Sequence, residues 1–106
     1  MTEAARLEAR LLTVSELTLV ALTRPPEIEG QSADQLKTAA RRLREALTRA
    51  KGIAARQARE IRGKAKPHGS RPAKDNLGTV SKARALREAL DRIEAEQRRR
   101  AAAALK

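Results

Sequence analysis

A chain of 106 residues forms one small domain at most. It carries 24 Lys and Arg against 13 Asp and Glu, a formal net charge of +11, with no Cys, Phe, Tyr or Trp. Those absences exclude a disulfide framework, a thiol nucleophile, a zinc–thiolate site and the aromatic stacking platforms of RRM, OB-fold and cold-shock modules.

No apolar run reaches the roughly 20 residues a membrane span needs. Glu3 and Glu8 stand where a signal peptide would carry basic residues. The expectation is a soluble, cytoplasmic protein. Leu, Ile and Val together supply only 20 residues, whereas Ala supplies 22. Alanine favours helix but buries little area. Helicity should therefore be strong and the core thin, and a partner or self-association would add rigidity.

In chain order, Thr2–Leu12 reads as a helix, with Leu7 and Leu11 one turn apart. "TVSE" then places Thr13 three residues before Glu16, the spacing of a capping box, and predicts a fresh helix start. A short second helix through Leu17, Val20 and Ala21 stops at "RPPE", where Pro25 drives Arg24 out of the helical region. Ser32 and Gln35 form a second capping box, and a long helix is predicted from Ala33 to about Arg62. Its apolar stripe comprises Leu36, Ala39, Ala40, Leu43, Ala46, Leu47, Ala50, Ile53, Ala54 and Ile61. Gly52 falls within it and suggests close backbone packing or a bend. Gly63 suits a C-terminal cap.

"RGKAKPHGSRPAKDNLG" comes next, rich in glycine, proline and cations, and is read as a basic loop over 63–78. Thr79 or Ser81 would then cap a last helix from about Val80, with Ala83, Leu86, Leu90, Ile93 and Gln97 on its inner face. The expected fold is all-α: a small helical bundle or helical hairpin with a long basic loop between its two main helices. The segments are 1–31 (acidic short helices and a proline-rich turn), 32–62 (the long basic helix), 63–78 (the loop) and 79–106 (the last helix), in one domain.

The charge is segregated. Residues 1–35 carry a net −3, residues 36–78 a net +10 and residues 79–106 a net +4. On the long helix Arg42, Arg49 and Arg56 repeat at seven, as do Lys37, Arg44 and Lys51, with Arg41, Arg59 and Arg62 added. Only Glu45 and Glu60 oppose them, with cations four residues away. The −3 against +10 split further suggests that the first third folds back on the arginine face.

Catalytic motifs are missing: no H-E-x-x-H, no G-x-S-x-G and no Walker phosphate loop. "GKAKPHGS" has its lysine directly after the first glycine and no preceding strand, which argues against a phosphate loop. Glu88, Asp91, Glu94 and Glu96 alternate with Arg84, Arg87, Arg92 and Arg98, as on an ion-paired surface. His68 is a lone histidine in a turn, with neither His nor Cys to complete a metal site. The reading is therefore no enzyme, no cofactor and no metal.

A net +10 over 43 residues repels itself unless a polyanion neutralises it. The expected partner is a nucleic-acid backbone, RNA or DNA, met by Arg42, Arg49, Arg56, Arg59, Arg62, Lys64, Lys66, His68, Arg71 and Lys74. The composition resembles that of small helical ribosomal proteins, also rich in Ala, Lys and Arg, and this likeness implies structured RNA. The alternative is a helical protein–protein module that binds an acidic partner or, through its alanine-rich seam, a second copy of itself. A membrane-surface role is disfavoured by the lack of interfacial aromatics.

Overall fold

The structure, a computed structural model, describes residues 3–63 and 70–105, with side chains at 3, 6, 8–62 and 78–105. Among the described residues four α-helices run in the order α1 (Glu3–Leu11), α2 (Val14–Leu22), α3 (Ala33–Gly63) and α4 (Ser70–Ala104), with a 3-10 turn over Glu27–Gly30. No strand is present among the described residues. The protein is all-α. α3 and α4 pack along each other as a hairpin, and α1, α2 and the 3-10 turn pack across it.

Local chemistry sets the helix starts. The Thr13 amide donates to Glu16 Oε1 at 2.9 Å, and the Glu16 amide donates to Thr13 Oγ1 at 3.2 Å. Ser32 and Gln35 repeat the exchange at 2.7 and 3.0 Å before α3. Each pair satisfies two amides that lack partners within the helix. α2 ends ahead of Pro25, and α3 ends at Gly63.

The core lies between the two long helices. Leu36 and Leu43 of α3 are fully buried with Leu86, Leu90 and Ile93 of α4. Ala39, Ala40, Ala46, Ala50 and Ala89 fill the seam. Leu12, Val20 and Ile28 close it from the N-terminal segment. The predicted stripe on α3 is buried through Ala50 and then thins: Ile53 is 40% exposed, and Ala54 and Ile61 are half-buried. Gln57 continues the stripe, and its Oε1 is buried without a hydrogen-bond partner.

Helix takes up both ends of the segment expected to form a long loop. Gly63 belongs to α3, and Ser70–Gly78 belongs to α4, which starts well ahead of Val80. Residues 64–69 lie outside the described residues. Proline costs a helix little in its first turn, where the missing N–H has no intrahelical acceptor, and Pro72 occupies that turn. Gly78 costs about 1 kcal/mol relative to alanine, too little to stop a helix that continues to Ala104. A Cβ there would meet Leu11 Cδ2 at an ordinary 3.9 Å. Of the two readings of Gly52, close backbone packing is corrected: a Cβ would meet nothing within 4 Å.

The N-terminal third packs on the hairpin, yet its two buried acids pair with cations outside α3. Glu8 takes a bidentate bond from Arg24, at 2.8 and 2.6 Å. Glu16 pairs with Lys82 of α4 at 2.9 Å. Among the described residues, no acid of the first 35 pairs with an arginine of α3.

Candidate nucleic-acid interface

α3 presents one face to the core and the remainder to water. At about 100° per residue, positions seven apart fall nearly in register, about 10.5 Å along the axis. Lys37, Arg44 and Lys51 therefore make one row beside the apolar stripe, and Arg42, Arg49 and Arg56 make another on its opposite flank. All six are exposed. Between the rows lies an outer ridge of Glu45, Thr48, Gly52 and Ala55, also exposed, with Arg41 and Arg59 at its two ends.

The expected site residues divide into three groups. Arg42, Arg49, Arg56, Arg59 and Arg62 all lie exposed on α3, the first three along one flank, Arg59 on the outer ridge and Arg62 in line with Lys37, Arg44 and Lys51. Arg71 and Lys74 belong to the first turns of α4, not to a loop. Lys64, Lys66 and His68 lie outside the described residues. The row of Lys37, Arg44 and Lys51 is an addition to the expected site. Its seven-residue spacing is the signal for it in the sequence, and its residues are exposed like those of the other row.

The cations differ in what already holds them. Arg44 sits 3.5 Å from Glu94 of α4. Lys37, Arg41, Arg42, Arg49, Lys51, Arg56, Arg59 and Arg62 make no ion pair with another described residue. Glu45 has Arg41 and Arg49 four residues away, yet pairs with neither.

Several arginines of α4 are occupied. Arg87 meets Asp91 at 2.8 Å and Glu94 at 3.5 Å. Arg99 and Arg100 both close on Glu96 at 2.7 Å, and their hydrogen bonds hold its carboxyl down at about 2. Arg100 also donates to the carbonyls of Ile28 and Glu29 at 3.2 and 3.4 Å, tying the 3-10 turn to α4. Arg92 escapes the expected pairing with local acids and donates to Thr23 Oγ1 at 3.0 Å. Burial, with Arg24 nearby, lowers the pKa of its guanidinium.

Other surfaces offer less chemistry. A groove of about 680 Å³ runs between α2 and α3, with Val14, Leu19 and Leu22 on one side and Arg42, Glu45 and Arg49 on the other. Among the described residues no cluster of His, Cys, Asp and Glu could hold a metal, and no helix is long and apolar enough to cross a membrane. No protein-family model, no curated protein and no solved structure matches this chain.

Proposed function

We propose that this chain is a non-enzymatic nucleic-acid-binding protein that holds the phosphate backbone of structured RNA on the exposed face of α3. One observation carries the reading: Glu8, Glu16, Asp91, Glu94 and Glu96 are taken up by Arg24, Lys82, Arg87, Arg99 and Arg100, while eight exposed cations of α3 make no ion pair with an acid among the described residues. Such a face releases counterions when phosphates replace them. Arginine adds bidentate phosphate bonds. Lys64, Lys66, His68, Arg71 and Lys74 are further candidate phosphate contacts in this reading.

The test is a salt titration of binding to a structured RNA, a DNA duplex of equal charge and heparin. RNA should be preferred, with a steep fall of log K against log salt. Changing Arg42, Arg49 and Arg56 together to Gln should flatten that slope by about 0.9 for each phosphate no longer neutralised. No binding to any probe at low salt overturns the proposal. A helical protein–protein module, as a second reading, draws on the groove beside Val14, which is 82% exposed. Absence of RNA binding combined with concentration-dependent mass in light scattering would favour it.

A further inference from the structure

The two cationic rows of α3 share a period and a helix but not a flank. Lys37, Arg44 and Lys51 lie on one side of the outer ridge, and Arg42, Arg49 and Arg56 on the other. A single strand laid along α3 can follow one row only. Two antiparallel strands flanking a groove meet both. Each row spans about 21 Å of helix axis, and an α-helix with its side chains is about 10–12 Å across, so both strands of a duplex lie within reach.

The ridge between the rows decides which groove. Thr48, Gly52 and Ala55 include none of the Arg, Lys, Asn or Gln side chains that make bidentate bonds to base edges in a B-DNA major groove. The A-form minor groove is wide and shallow and displays 2′-hydroxyls at its surface. Gly52 brings the helix backbone closest there, since the space around its Cα is open. Glu45 and Thr48 offer a carboxylate and a hydroxyl on that same ridge, and neither the Arg41 nor the Arg49 guanidinium occupies the Glu45 carboxylate. Both groups can hydrogen-bond a 2′-OH, the feature that separates RNA from DNA.

We infer that α3 straddles the minor groove of double-stranded A-form RNA, its two cationic rows on opposite strands and Glu45 and Thr48 on 2′-hydroxyls. This rests on the nucleic-acid reading above and narrows it to a duplex and to RNA. Recognition is by shape, with little dependence on sequence.

The experiment is fluorescence anisotropy with the full chain at one fixed salt concentration, using a 20-base-pair RNA duplex, one of its strands and a DNA duplex of the same sequence. The RNA duplex should bind at least tenfold tighter than either of the others. Neutralising either row alone, Lys37, Arg44 and Lys51 to Gln or Arg42, Arg49 and Arg56 to Gln, should abolish the preference for duplex over single strand. Glu45→Ala with Thr48→Val should remove the preference for RNA over DNA. Gly52→Leu should weaken duplex binding at least tenfold and leave single-strand binding unchanged, with helicity by circular dichroism confirming the fold of every variant. Salt-dependent binding of equal strength to duplex and single strand overturns the inference and leaves the nucleic-acid reading standing. Equal affinity for RNA and DNA duplexes overturns the 2′-hydroxyl contacts. No binding to any of the three overturns both readings.

Discussion

Glu8 is the residue on which the N-terminal segment turns. Its carboxylate is mostly buried, and the Arg24 fork holds it ionised, below the usual carboxylate range. Arg92 lies near the same pair, and its Nη2 is buried without a partner. Removing the acid leaves two arginines facing each other. Glu8→Ala should therefore cost about 1–2 kcal/mol, less than a broken fully buried pair because Arg24 is partly exposed. Arg92→Met should be neutral or stabilising: it loses the bond to Thr23 Oγ1, which still donates to the Val20 carbonyl, but it deletes an unsatisfied buried nitrogen and keeps the apolar stem. Urea unfolding of the two variants checks both signs. The capping boxes at Thr13 and Ser32 are legible in the sequence because each closes over three residues. The Arg92–Thr23 bond joins residues 69 apart, and no local pattern announces it.

At the scale of the element, α3 is readable almost to the residue because one apolar period and a capping box agree over 31 residues. α4 is not. A proline and two glycines between 69 and 78 read as punctuation, and the helix absorbs Pro72 and Gly78. Only weighing their cost against helix length shows why: one first-turn proline and one glycine matter little beside an inner face of Leu86, Leu90 and Ile93 packed on α3. The candidate site is half legible for a related reason. Seven-residue spacing reveals two cationic rows, but only the fold shows that both remain exposed. Gly52 gives the element its clearest test. It lies in helical backbone with open space where a Cβ would stand. Gly52→Ala should raise stability by about 1 kcal/mol in urea unfolding.

For the whole molecule, the balance of charge sets the response to acid. Burial works against ionised Glu16, but the Thr13 amide and the Lys82 ammonium outweigh it and keep its carboxyl low. Glu8 and Glu96 are held low by arginines. All three bind protons less readily folded than unfolded, where a glutamate titrates near about 4.3. Their contribution is complete above that value and is lost as pH falls through their lowered folded pKa values, that of Glu96 at about 2. Protonation also removes the countercharge to 24 cations. The melting temperature should hold steady from about pH 8 to 6 and fall steeply between about pH 5 and 2. Glu96→Gln should start lower and lose less over the last part of that fall.

α3, α1, α2 and the 3-10 turn all pack against α4. During synthesis α4 leaves the ribosome after all of them. Until it does, Leu36 and Leu43 lack Leu86, Leu90 and Ile93, and nothing ties Glu16 to Lys82 or the 3-10 turn to Arg100. At about 5–20 residues per second, the +10 segment spends about a second or more in the open before the last helix can gather the rest around it. The nascent chain already carries most of its net positive charge while it is least folded beside the largest body of structured RNA in the cell, so its cations are exposed before its tertiary structure forms.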